Sequence, residues 1–199
     1  MAVRDILIIP DKRLRVKSEA VKAVDKRLRA LIDDMFETMY AAEGIGLAAP
    51  QIGHAARLAI VDVEKNPIVL INPEIVSEEG NDRAEEGCLS IPDIYGDVDR
   101  ATTIRVRALD RTGGPFETEV SGLLARAIQH EIDHLHGKLF IDYLSFLKRR
   151  NALAKWEGMK EKYPLLLRRI TVSDKPRASR SRSNGGSVGM GAEKGEEVL

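Results

Sequence analysis

His130-Glu131-Ile132-Asp133-His134 is the stretch of this sequence whose residue types and spacing come closest to specifying a reaction. Four residues are just over one turn of α-helix. On a helix the two imidazoles therefore share a face and can grip one metal ion, while the glutamate between them sits beside an open coordination position. That geometry describes a hydrolytic metal centre. The plain alternative is a polar helix face with two solvated histidines, but two of only four histidines stand here at ligand spacing in an otherwise apolar segment. Asp133 reads either as a surface carboxylate or as a group that orients a ligand imidazole. His54 and His136 read as solvated or structural.

A tetrahedral site needs a third protein ligand. The stretch after Gly137 offers Asp142 and Glu157 but no further histidine, so the ligand is sought elsewhere. Cys88, in Glu86-Gly87-Cys88-Leu89-Ser90, follows a glycine that lets a backbone approach closely, and a thiolate binds divalent transition metals strongly. Taken by itself, a lone cysteine is more simply a buried small hydrophobe. A third element is Gly44-Ile45-Gly46-Leu47-Ala48-Ala49-Pro50-Gln51. Its small residues allow close approach to a ligand, and the Gln51 side-chain NH₂ could meet a developing oxyanion; alone it would be a tight helix exit with an incidental glutamine.

The elements that must carry these residues are partly visible. Ile6 to Pro10 reads as extended, with a turn at Asp11 and Lys12. From about Asp25 to Ala42, Leu28, Leu31, Ile32, Met35 and Met39 form one stripe at helical period, with Gly44 as a stop. Short β-rich runs follow at 58–63, 68–71, 74–79, 102–109 and 116–120. Asn66-Pro67, Asn72-Pro73, Glu79-Gly80-Asn81 and Thr112 to Pro115 supply turn chemistry between them. Strands without interleaved helices favour an antiparallel sheet. Helical character returns from Gly122 to about His136 and from about Ser145 to Tyr163, where Pro164 ends it. The expected fold class is α+β: twisted, mainly antiparallel sheets around a central metal-binding helix, with an N-terminal and a C-terminal helix.

Composition sets the outer limits. At 199 residues, 43% hydrophobic and 31% charged, the chain suits one globular domain and excludes a wholly disordered one. No apolar run approaches the ~20 residues of a membrane span. A single cysteine forms no internal disulfide, and MAVRDILIIPDKRLR carries no signal-peptide pattern or Arg- and Ser-rich transit segment. The expected location is therefore a reducing cytoplasm, that of a bacterium ahead of an organelle as the alternative. The zero formal charge is uneven: residues 1–145 hold 18 Lys/Arg against 25 Asp/Glu, and residues 146–199 hold 13 against 6. Beyond about Thr171 almost nothing is apolar, and residues 171–199 are expected to be a disordered Ser/Gly/Arg-rich tail behind a catalytic domain at 1–170.

Gly44 to Gln51, Glu86 to Ser90 and Gln129 to His134, in this order and with these separations, resemble the three signature motifs of peptide deformylase. The resemblance extends over roughly four-fifths of the chain. It implies removal of the N-formyl group from the initiator formyl-methionine of new proteins, with release of formate. By that likeness Cys88, His130 and His134 are metal ligands, with water in the fourth position, and Glu131 passes a proton from that water to the leaving amine. Gln51 and the backbone N–H of Leu89 match the pair that binds the formyl oxygen. Substrate contacts are implied for Ile45, Gly46, Glu86, Gly87, Tyr95, Leu123, Ala127 and the stem of Arg126. The implied cofactor is one divalent ion, Fe²⁺ above all, with Zn²⁺, Ni²⁺ or Co²⁺ as substitutes.

Two positions depart from the pattern. Tyr95 stands seven residues after the ligand cysteine, where one family member carries arginine near the mouth of the methionine pocket, and Pro50 replaces a small polar residue. The partners implied are formyl-methionyl nascent peptides and, through the basic residues 146–182, the ribosome near its exit tunnel; no membrane is involved. Two rival readings exist: a catalytically silent ribosome-associated module, and a general endopeptidase of the H-E-x-x-H type. Every ligand and Glu131 being in place speaks against the first, and Cys88 has no part in the second.

Overall fold

The computed structural model describes residues 2–170; the tail expected at 171–199 lies outside the described residues. In chain order the elements are β1 (Ile6–Leu7), α1 (Lys26–Ala41), β2 (Gly46–Ala48), β3 (Leu58–Val63), β4 (Asn66–Glu79), β5 (Asp82–Cys88), β6 (Ile91–Arg100), β7 (Thr103–Leu109), β8 (Pro115–Ser121), α2 (Gly122–Leu135), α3 (Phe146–Glu157) and β9 (Leu167–Arg168). Strands β2, β3, β4, β7 and β8 form one sheet in that order, and β5–β6 and β1–β9 form two-stranded sheets. Every ladder is antiparallel, as the α+β expectation requires.

The period of the strands explains how the sheet carries a helix on each face. Leu58 and Ile60 of β3 pack with Leu31, Ile32, Met35 and Met39 of α1. Their neighbours Ala59, Val61 and Val63 pack with Ala125, Ala127, Ile128, Ile132 and Leu135 of α2. Successive side chains of a strand point to opposite faces, so a strand covered on both sides reads as an unbroken apolar run. Each fully buried Leu, Ile or Met of the α1 stripe contributes about 1.5–3 kcal/mol of burial free energy. Asp25 caps that helix by accepting a hydrogen bond from the Leu28 N–H at 2.8 Å.

Helix α2 is the central element. All eleven residues from Ala125 to Leu135 are buried, including His130, Glu131 and His134. It stops where Gly137 turns left-handed at φ 72°. Lys138 N–H then reaches Asp133 C=O at 2.9 Å and Gly137 N–H reaches His134 C=O at 3.1 Å. A β-carbon at Gly137 would also strike the Arg15 backbone, so position 137 is closed to any other residue without rearrangement.

Three expectations need correction. Asn72-Pro73 is not a turn: β4 runs through it with a bulge, and the Asn72 side chain bonds Val21 N–H and C=O at 2.8 Å each instead of reversing the chain. The hairpin before Asn66 turns on Glu64 and Lys65, both at positive φ, as a two-residue loop between twisted strands requires. Helix α3 ends at Glu157 rather than Tyr163, because Trp156 is buried and its ring lies 5.6 Å from that of Tyr163, which folds the chain back. Among the described residues no helix is long and apolar enough to cross a membrane.

Candidate metal centre

The β5–β6 hairpin and α2 bring the three candidate ligands together. Cys88 stands at the end of β5 beside the hairpin turn, and one candidate ligand atom each from Cys88, His130 and His134 lie within 4.8 Å of one another. All three residues are buried. Cys88 Sγ is 3.2 Å from His134 Nε2, and His130 Nδ1 is 3.0 Å from Glu86 Oε2. His130 Nε2 is buried and has no hydrogen-bond partner among the described residues. An orphaned imidazole nitrogen facing a thiol and a second imidazole is costly unless something electrophilic completes it. A Cys-His-His donor set of this kind can hold a divalent transition ion, so the residues present fit such a group.

Without a cation the pocket favours neutral groups. Burial pushes the Cys88 thiol far up, with the charges of Glu131 and Glu86 adding to it against N–H bonds from Ser90 and Ile91. Burial pushes the His134 imidazole well down, helped by His130, Arg100 and Arg15. A cation reverses that balance at the sulfur, because a coordinated thiol gives up its proton. Glu131 is fully buried and both its carboxylate oxygens lack partners among the described residues. Burial above all, and then the charge of Glu86, raises its proton affinity well beyond that of an ordinary glutamate. Such a carboxyl is suited to taking and returning a proton at neutral pH.

Gly46 of β2 lies directly on this carboxyl group. A β-carbon at position 46 would overlap Glu131 Oε1. Gly46→Ala is therefore expected to displace Glu131 and lower kcat at least about tenfold while the fold holds, since misplacement of about 1 Å in a site commonly costs that much or more. Steady-state kinetics beside a thermal melt checks this; unchanged kcat would mean the strand gives way instead.

Gln51, in the 3₁₀ turn Ala49–Ile52, is buried with a fixed amide. Its Oε1 accepts the Ala48 N–H at 2.7 Å, which turns Nε2 toward Ser90 Oγ at 3.2 Å and Cys88 Sγ at 3.7 Å. The NH₂ end thus faces the ligand cluster. Sequence reasoning did not single out Ser90, which is fully buried, holds that amide and donates its N–H to Cys88 Sγ at 3.4 Å. Its place in Glu86 to Ser90 was the available signal.

The residues expected to touch substrate divide. Ile45 is half-buried, Gly46, Gly87 and Ala127 are buried, and Tyr95 and Leu123 are exposed. The Glu86 side chain is fully buried, and its oxygens accept from Arg100 Nε and Nη2 at 2.9 and 3.0 Å, from Arg126 Nη1 at 2.9 Å, and meet His130. It is an internal anchor. Burial pushes its carboxyl up, but the bonds from Arg100 and His130 outweigh that and hold it at about 2. The Arg126 guanidinium is likewise consumed by Glu86, the Val98 and Asp82 carbonyls and the Asp82 carboxylate. Arg100 and Asp133 complete this buried network, with Tyr143 at its exposed end; nothing in the spacing of the sequence pointed to Arg100.

Residues 3–150 match the protein-family model described as polypeptide deformylase. The chain is 55% identical over 163 residues to a peptide deformylase of Alkalilimnicola ehrlichii, covering 80% of this chain and 92% of that protein. Its fold is similar to the crystal structure of a peptide deformylase from Legionella pneumophila, with TM-score 0.78 and 52% identity over 81% of this chain and 97% of the other. It is also similar to a peptide deformylase from Ehrlichia chaffeensis in complex with actinonin, with TM-score 0.78 and 41% identity over 82% and 99% of the two chains.

Proposed function

Because the chain belongs to the polypeptide deformylase family, we propose that Cys88, His130, His134, Glu131, Gln51 and Leu89 together hydrolyse the formyl amide of formyl-methionyl peptides. The observation that carries this reading is the buried cluster of one thiol and two imidazoles, beside a carboxyl with no hydrogen-bond partner among the described residues. Cys88, His130 and His134 would hold one divalent ion, Fe²⁺ above all. When bound, such an ion polarises an amide oxygen and makes water a nucleophile at neutral pH. Glu131 takes the proton of the attacking water on a carboxylate oxygen and gives it to the departing amine. Gln51 Nε2 and the Leu89 N–H donate to the formyl oxygen as it gains charge.

Ile45, Leu123, Ala127 and the Arg126 stem would wall the methionine side chain, and β2 around Gly46 would pair with the extended peptide. Gln51→Ala should lower kcat/KM about 10²- to 10³-fold, the usual cost of one oxyanion donor, with metal content unchanged. Loss of metal together with activity would instead make Gln51 a structural support of Cys88.

The experiment for the reading as a whole is to offer the iron-loaded chain formyl-Met-Ala-Ser and acetyl-Met-Ala-Ser under anaerobic conditions. Release of formate with negligible acetate and no internal cleavage is expected. Cleavage of internal peptide bonds would favour the endopeptidase reading.

Ribosome docking rests on α3, where Phe146 is 82% exposed beside exposed Leu147, Lys148, Arg149 and Arg150. Lys148 and Arg149 also pair with Asp97 and Asp142. Co-sedimentation with ribosomes should weaken steeply with salt and on Arg150→Glu. Binding indifferent to both would remove this partner.

A further inference from the structure

Glu86, Arg100, Asp133 and Tyr143 make one hydrogen-bonded line from His130 to the surface. The Glu86 carboxylate meets His130 Nδ1 at 3.0 Å and receives Arg100 Nε and Nη2. Arg100 spends its third nitrogen, Nη1, on Asp133 Oδ2 at 2.5 Å, and the other oxygen of Asp133 accepts the Tyr143 hydroxyl at 2.8 Å. The Tyr143 ring covers the Arg100 guanidinium, its centroid 4.8 Å from Cζ. Of these four residues only Tyr143 is exposed, at 45%. Arg100, Asp133 and Tyr143 also line a cavity of about 860 Å³ that reaches Arg57 and Asn72, outside the ligand cluster.

We propose that Tyr143 is a positioning residue for the metal centre: its hydroxyl holds Asp133, which sets the plane of Arg100, which in turn fixes the Glu86 carboxylate that aims the His130 ring. This rests on the metal-site reading above. An imidazole binds a cation along the lone pair of one nitrogen, so the partner on its other nitrogen governs its aim and basicity. Two contacts to Glu86 already hold one edge of the Arg100 guanidinium. The bond to Asp133 is a third point that prevents the guanidinium from pivoting about them. Asp133 has two oxygens and can rotate; the Tyr143 hydroxyl removes that freedom and the ring keeps cavity water off the guanidinium face. Without the hydroxyl, water from the cavity takes its place on Asp133 and the line slackens at its outer end.

Tyr143→Phe tests this, because it deletes one oxygen, keeps the ring over Arg100 and changes no charge. The full chain is loaded with Co²⁺, and its absorption bands are followed as an excess of chelator removes the ion. Loss about 3- to 10-fold faster than in wild type is expected, below the ~10- to 100-fold effect of removing a direct partner of a ligand. The melting temperature of the metal-free protein should stay nearly constant. Ile32→Ala is the control. Ile32 is fully buried on α1, across the sheet from α2, so this variant lowers the melting temperature without touching the line. Wild-type retention in Tyr143→Phe, or equal acceleration in Ile32→Ala, overturns the proposal. A wild-type chain that takes up no cobalt overturns it together with the metal-site reading.

Discussion

Glu131→Gln is expected to reduce formate release by about 10³-fold, within the ~10²- to 10⁴-fold range of a general acid–base group, while the chain still binds one ion. The amide has nearly the shape of the carboxyl, so the dry pocket around it is kept. What it loses is the ability to accept a proton. Glu131 is fully buried, its oxygens have no competing partner among the described residues, and burial has raised its proton affinity. Those three facts describe a group held in readiness for a proton rather than one tied into the structure. The assay is formate release beside metal analysis of the same preparation. Loss of the ion in step with activity would move Glu131 from proton carrier to ligand.

Glu86→Gln should destabilise the metal-free protein by about 3–5 kcal/mol, the usual cost of leaving a buried charge without its partner. Arg100 and Arg126 have side chains only 5% and 8% exposed and both lean on this one carboxylate. Asp133 balances one of the two guanidiniums and Glu86 the other. Neutralising Glu86 therefore leaves a net positive charge beneath the site. Urea unfolding of the metal-free chain measures the effect. Asp82→Asn is the control, since Asp82 is 64% exposed and 3.6 Å from Arg126; a change below about 0.5 kcal/mol is expected there. A Glu86→Gln variant within about 1 kcal/mol of wild type would mean that water replaces the carboxylate.

The sequence was most legible where one period dominates. The stripe from Leu28 to Met39 and the helix around His130 bury the faces their spacing indicates. It was least legible in the β5–β6 hairpin. Asp82-Arg83-Ala84-Glu85-Glu86 has no apolar alternation, because its buried position is filled by a charge, Glu86, paired with Arg100 and Arg126, while exposed Arg83 lies 4.0 and 3.7 Å from Asp97 and Asp99. Cys88, Leu89, Ile91, Ile94 and Val98 enter the core from that hairpin. The candidate ligands were recognisable because helical spacing brings His130 and His134 to one face. Glu86 was not recognisable as their support, because its role depends on Arg100, across the β5–β6 hairpin, and on Arg126 of α2, which reach it only once hairpin and helix are folded together.

The most direct test of the account is an anaerobic titration of the metal-stripped chain with Fe²⁺, following formate release from formyl-Met-Ala-Ser at each addition. Activity should rise linearly and stop at one ion per chain, and Cys88→Ala should show no such rise. Full activity in the stripped chain, or an undiminished rise in Cys88→Ala, would contradict a centre built from Cys88, His130 and His134.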